Sequence, residues 1–423
     1  MNRLLYSALW HLALPLIGLR LAWRARKQPE YLQHLGERFG AAPRAGQAPR
    51  IWLHAVSVGE TRAAQPLVKA LLARYPQHEI LLTHMTPTGR ATSEELFGKE
   101  ARVVRTYLPY DFPWAQRRFL ARARPHMGIV METEVWPNLM CAAEQAGVPM
   151  LLANARLSAR SARGYQRLGQ LARTSFGRFS KVLAQTADDA SRLAACGAVQ
   201  PIVSGNVKFD LELTPAQLAL GAEFHAAAGG RPVILAASTR EGEEGALLAA
   251  FLIHAPADAL LVLVPRHPQR FDEVAAMVSK LGLTLQRRSA GLQITPDTRV
   301  WLGDSMGEML AYYRMAEVAI IGGSWQPLGG QNLIEACAAG APVLIGPHTF
   351  NFTEAAMKAI EAGAARRCAD LDTALRTCRE LLADTSARKT MAAAGEAFAA
   401  ANRGATERTL QAITALLASA TNQ

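Results

Sequence analysis

Short apolar runs alternate with amphipathic helical stretches along most of this 423-residue chain, the pattern of parallel sheets joined by crossover helices. Candidate strands begin near Ile51 (IWLHA), Ile80 (ILLTH), Met127 (MGIVME), Met150 (MLLANA), Val182 (VLAQ) and Ile202 (IVSG). A polar, alanine-rich stretch from about Leu213 to Arg231 then interrupts the series. A second series follows, with PVILAAS, ALLVLVP, RVWLG, VAIIGGS and PVLIGP. The pattern predicts two doubly wound α/β domains, residues 24–212 and 213–423, facing a cleft at the carboxyl ends of their strands. From Leu371 onward the composition is helical.

The first 23 residues break this alternation. From Leu4 to Trp23 they are mostly apolar, about the ~20 needed to cross a bilayer, and Arg20, Arg24, Arg26 and Lys27 flank the run. No small-x-small cleavage site follows, so residues 1–23 are expected to form an uncleaved membrane-anchoring helix with the rest of the chain on the cytoplasmic side. Arg3, Ser7 and His11 recur every four residues as a polar stripe, which also suits a helix lying in the interface, and Pro15 weakens the middle of the run. The competing expectation is an apolar helix buried against the body of the protein.

Composition narrows the partners. A net charge of +11 draws phosphorylated molecules, whether nucleic acid, anionic lipid or acidic metabolite, without choosing among them. The five cysteines form no C-x-x-C pair, which argues against a disulfide framework or a zinc site and agrees with a reducing cytoplasm. H-E-x-x-H and Walker motifs are absent, removing support for metalloprotease and P-loop chemistry. The one D-x-D, Asp370 to Asp372, lies past the last expected strand and reads as a helix cap.

Several turns that follow strands carry chemistry. In HAVSVGE the chain leaves a strand, turns at Gly59 and opens a helix with Glu60 in its first turn. A carboxylate there complements the helix dipole, and the same position can take a proton from an acceptor hydroxyl. The dipole is expected to keep Glu60 ionised, with partial burial acting against it. In GGSWQPLGGQNLIEA, glycines let backbone amides approach phosphate, a helix is expected to start near Gln331 or Asn332, and Glu335 can accept from ribose hydroxyls. Pro265, Arg266 and His267 follow a strand, where a guanidinium can pair with phosphate or carboxylate. Met306, Gly307 and Glu308 mark a further turn at a helix start.

Taken in order, GERFG (36–40), HAVSVGE (54–60), TPTG (86–89), YLPYDFP (107–113), METEVWPN (131–138), NARLSARS (154–161), GNVKFD (205–210), STREGEE (238–244), VPRHPQRF (264–271), GDSMGE (303–308) and GPHTFNF (346–352) resemble the Kdo transferase family, which moves 3-deoxy-D-manno-octulosonic acid (Kdo) from CMP-Kdo to lipid A precursors. The resemblance spans nearly the whole chain. It implies a GT-B fold, inverting transfer with no metal or cofactor, and Glu60 as the base. It also implies a nucleotide-sugar site on Pro265 and Arg266, on Met306, Gly307 and Glu308, and on Asn332, Leu333, Ile334 and Glu335. One departure stands at Gln331, where the family usually has His, so this chain has no imidazolium at that position. Implied with the family are an anionic lipid acceptor at the cytoplasmic face of a bacterial inner membrane and no nucleic-acid partner. A nucleotide-sugar 2-epimerase on the same fold, needing no anchor, and a non-catalytic anionic-lipid binder are the alternatives.

Overall fold

The computed structural model describes residues 1–211 and 213–421. It divides into two compact units: Met1–Asp210 together with the chain from Arg403 onward, and Leu211–Asn402.

The first unit is built on a seven-stranded parallel sheet of β1 (Arg50–His54), β2 (Glu79–His84), β3 (Val103–Tyr107), β4 (Met127–Met131), β5 (Met150–Ala155), β6 (Lys181–Ala184) and β7 (Ile202–Val203), in the order β3-β2-β1-β4-β5-β6-β7. Alternate residues of each strand serve opposite faces, and helices cover both, so the central strands read as unbroken apolar runs. Ile51, Leu53, Ile129 and Met131 pack with Leu67, Val68 and Leu71 on one face, while Trp52, Val130 and Leu152 pack with Phe119, Leu139 and Met140 on the other.

The second unit repeats the plan with β8 (Val233–Thr239), β9 (Leu260–Pro265), β10 (Leu285–Arg287), β11 (Val300–Leu302), β12 (Val318–Ile321), β13 (Val343–Ile345) and β14 (Ala365–Arg367), in the order β10-β11-β9-β8-β12-β13-β14, again all parallel. The stretch read as an interruption is a helix, Pro215–Ala227, opened by a capping box between Thr214 and Gln217. Asp370 caps the helix Leu371–Ala383 by accepting from Thr373 N at 2.7 Å, as expected.

Two expectations change. The final helix, Ala405–Thr421, belongs to the first unit rather than to a domain running 213–423. Its Leu410 and Ile413 complete the core beside β1, Arg408 Nε donates to Ser204 O at 2.8 Å, and Asp210 accepts from Gly404 N. The expected boundary residue 212 and the last two residues lie outside the described set.

The N-terminal run is not one helix but two, Arg3–Leu12 and Leu14–Ala25, bent by 52°. Pro15 sits in the first turn of the second, where its missing N–H costs nothing. Among the described residues no single helix is long and apolar enough to cross a membrane, though the bent pair together meets that length and composition. The polar stripe also points the other way from a water-facing one. Ser7 is buried and donates to Asn138 Oδ1 at 2.9 Å, Arg3 reaches the same atom, and Trp10 packs on Phe112 and Trp136. The opposite face leaves Leu4, Leu5, Leu9 and Leu12 exposed, and the second helix adds Leu16, Leu19 and Trp23.

Candidate active site

In each sheet the chain builds outward from a central first strand, then returns to add strands on its other side. The carboxyl ends of the two strands flanking that reversal form the crevice where open α/β sheets hold ligands. In the first unit these are β1 and β4.

Glu60 is there, in the first turn of the helix Val58–Arg74. Its carboxylate folds back over the preceding loop, accepting from Val56 N at 2.8 Å and from Ser57 Oγ at 3.2 Å. Two groups from the β4 loop, Glu132 and Glu134, repel its charge. Burial is the largest influence and Glu132 the next, and together they push Glu60 up to about 7, from the ordinary 4.5. The expected dipole stabilisation is therefore outweighed.

The loop carrying these acids is tightly specified. Glu132 adopts φ 57°, a left-handed conformation uncommon for a side-chain-bearing residue, which turns the chain sharply off β4. Lys208 Nζ lies 3.5 Å from Glu132 Oε1. Glu134 accepts from Trp136 Nε1 at 2.9 Å, and burial raises its pKa above the usual carboxylate range against that bond. Thr133 Oγ1 donates to Arg156 O and so ties this loop to the one after β5. Beneath Glu60, His54 and His84 are fully buried; burial lowers them to about 3 and about 4, so both are neutral at pH 7.

In the second unit the reversal lies between β8 and β12. Gly322 follows β12 so closely against β8 that a Cβ would meet Ser238 O at 2.5 Å, and Gly323 has φ 67°. The buried Glu243 carboxylate accepts from the backbone amides of Gly323 (2.7 Å), Trp325 (3.1 Å) and Arg240 (2.8 Å), and so fixes the glycine loop to the β8 loop. Its neighbour Glu244 accepts from Arg270 Nη1 at 2.6 Å and from Thr239 Oγ1 at 2.9 Å, fastening the loop after β9 to the same point.

All the residues expected to hold a nucleotide sugar follow strands of this sheet. Pro265 ends β9, the Arg266 amide donates to Thr239 O at 2.9 Å, and His267 is exposed, its pKa lowered first by partial burial and then by Arg240, Arg266 and Arg270. Met306 and Gly307 are exposed, and Glu308 opens the helix Met309–Met315 while pairing with Arg288 at 2.8 Å and accepting from Ser305 Oγ. Asn332 Nδ2 donates to Glu335 Oε1 at 2.9 Å. Tyr312 and Tyr313 bridge these groups, through Ser305 Oγ at 2.9 Å and Asn332 O at 3.4 Å.

The helix after the glycine loop starts later than expected and is short, Ile334–Ala338, because Asn332 Oδ1 accepts from Ile334 N and ends the loop there. Leu333 and Ile334 bury their side chains in the core, leaving backbone alone for a ligand. Among the described residues no three His, Cys, Asp or Glu side chains group as a metal site. The sequence reading gave no roles to Glu132, Glu134, Trp136 or Glu243. The available signal was the E-x-E-x-W spacing directly after a buried strand, and paired acids in STREGEE.

A family model described as 3-deoxy-D-manno-octulosonic-acid transferase (kdotransferase) matches residues 33–211. The 3-deoxy-D-manno-octulosonic acid transferase of Bordetella pertussis is 50% identical, across 98% of this chain and 99% of that protein. That of Haemophilus influenzae is 37% identical over 97% of each. A glycosyltransferase from Rickettsia africae shares the fold, with a TM-score of 0.60 at 14% identity over 88% of this chain and 99% of its own. With two parallel-sheet units, an acidic crevice in the first and near-complete alignment to such relatives, this chain belongs to the 3-deoxy-D-manno-octulosonic acid transferase family.

Proposed function

We propose that this glycosyltransferase moves Kdo from CMP-Kdo to a lipid A precursor, in lipopolysaccharide core biosynthesis, with Glu60 as general base. The observation that carries the assignment is Glu60 itself: a partly buried carboxylate at a sheet reversal, raised to about 7 and therefore a stronger base than an ordinary glutamate. Glu60 takes the proton of the acceptor hydroxyl. The freed oxygen pair forms the new bond to the anomeric carbon of Kdo, and the bond from that carbon to the CMP phosphate breaks with its electrons staying on CMP. Attack opposite the leaving group inverts the anomeric centre, and no metal is required.

The second unit holds the donor in this reading. Arg266 and the glycine-loop amides face the phosphate, and Glu335 the ribose. The first unit takes the acceptor. The leucine-rich outer face of the N-terminal helices, with Arg20, Arg24, Arg26 and Lys27 beside it, supports attachment to the cytoplasmic face of an anionic bacterial inner membrane, the helices lying in the interface. The 2-epimerase and lipid-binder readings gain no support.

The test is to incubate purified protein with CMP-Kdo and lipid A precursor and to weigh the lipid. A mass gain of whole Kdo residues is expected; CMP release without lipid gain would overturn the assignment. For the membrane, replacing Leu4, Leu12 and Leu19 by Ser should abolish sedimentation with phosphatidylglycerol vesicles, and undiminished sedimentation would refute the interfacial face.

A further inference from the structure

Helix Arg3–Leu12 is joined to the acidic loop whose Glu132 and Glu134 act on the charge of Glu60. Its inner face holds that loop at two points. At the first, Ser7 Oγ donates to Asn138 Oδ1 at 2.9 Å, while Asn138 N and Leu139 N donate to the buried Asp111 carboxylate at 2.9 and 2.8 Å. The Tyr6 hydroxyl bonds the same carboxylate from the helix side. At the second, the Trp10 ring packs against Trp136 at 6.1 Å and against Phe112 at 5.6 Å, and Trp136 Nε1 donates to Glu134 Oε2 at 2.9 Å. Glu134 in turn is one of the two carboxylates that act on Glu60. Both anchors lie within the Glu132–Asn138 segment, which begins with the left-handed turn at Glu132.

A helix serving only as an anchor needs its outward leucines and any stable attachment. This one spends its polar and aromatic residues on that loop and on the Tyr110–Phe112 segment, whose Asp111 braces the end of the same loop. We infer that helix Arg3–Leu12 positions the transfer site as well as attaching the protein: through Trp10 and Trp136 it holds Glu134, and through Ser7 and Asn138 the end of the same loop, so that the carboxylates around Glu60 keep their working arrangement. Trp136 is thus a positioning residue, acting through Glu134. Disturbing the helix changes the chemical step even where no bilayer is present. This deepens the proposed function and rests on Glu60 being the base.

The experiment measures kcat and KM with CMP-Kdo and detergent-dispersed lipid A precursor, so that attachment to a bilayer plays no part. Trp10→Ala removes the packing, and Trp136→Phe keeps a ring against Trp10 while removing the donor to Glu134. Both are expected to lower kcat by roughly ten- to a hundredfold, the scale of a small misplacement at a reacting centre, with KM for CMP-Kdo unchanged. Trp10→Phe should restore most of the rate, and thermal unfolding confirms that each variant is folded. Wild-type kcat in either Trp10→Ala or Trp136→Phe, with Glu60→Gln inactive, would overturn the positioning role alone. A near wild-type rate in Glu60→Gln would instead overturn the base assignment beneath it. Should Trp10→Ala fail to fold, Trp136→Phe decides the matter.

Discussion

Glu60 and Glu243 occupy the same station in two sheets of the same plan, each just past the carboxyl end of the strand from which its sheet is built outward. Burial pushes both above the usual carboxylate range. They differ in company. Glu243 has one like charge beside it, Glu244, but is wrapped by three backbone amides and holds the glycine loop. Glu60 has one amide and one hydroxyl, and two further glutamates repel its charge. A carboxylate saturated by fixed donors is a brace, whereas one short of donors and beside like charges is held ready to take a proton.

The sharpest way to break this contrast is to neutralise each acid in turn. Glu60→Gln keeps the shape and removes the proposed base, so kcat should fall by about 10²- to 10⁴-fold with CMP affinity unchanged in calorimetry. Glu243→Gln should do the reverse. A carboxamide cannot serve three amide donors, and the group left unpaired costs about 1 to 3 kcal/mol, so KM for CMP-Kdo should rise about tenfold while kcat stays close to wild type. Glu335→Ala removes a charged acceptor and should weaken CMP by on the order of tenfold or more. If Glu243→Gln lost kcat and kept KM, the brace would be misassigned.

A smaller effect concerns stability. Because Glu60 titrates near 7 in the folded chain and near 4.5 ordinarily, between those values the folded protein holds a proton that the unfolded chain releases. Stability from this group is therefore lost as pH rises through that window. Glu60→Gln should escape the loss and be more stable than wild type at pH 8, by about 1 to 3 kcal/mol and with a higher melting temperature, with no such gain at pH 4.5. Simple dipole complementation forecasts the opposite sign, a loss of about 0.3 to 1 kcal/mol. Smallest of all should be Gln331→His, which keeps a hydrogen-bonding side chain and is expected to leave kcat and KM nearly unchanged.

What the sequence disclosed follows the same physical line. Strands buried on both faces announce themselves as apolar runs, and β1, β2, β4, β5, β8, β9, β12 and β13 were all visible in that way. The unseen strands β3, β10 and β14 are edges that carry Arg105, Arg287, Arg366 and Arg367, so their composition reads as loop. The last helix was placed by proximity in sequence, and no local pattern tells a helix which of two cores it will complete. Glu60 was legible from its position after a strand. The role of the acids beside it was not, because it depends on β4 lying next to β1, a pairing that spans more than one crossover. The polar stripe of the first helix was seen, but not what it faces. Burying Ser7 against Asn138 leaves leucines outermost, and periodicity alone gives a face without saying what it meets.

The pH dependence of the single-turnover rate, with both substrates saturating, tests the central claim most directly. A base near 7 requires the rate to fall about tenfold per unit of pH below that value and to level off above it. Glu132→Gln removes the largest repelling charge and should move the falling limb to lower pH, since Glu60 then ionises more easily. A wild-type profile flat from pH 5 to 8, or a limb that stays in place in Glu132→Gln, would contradict the account.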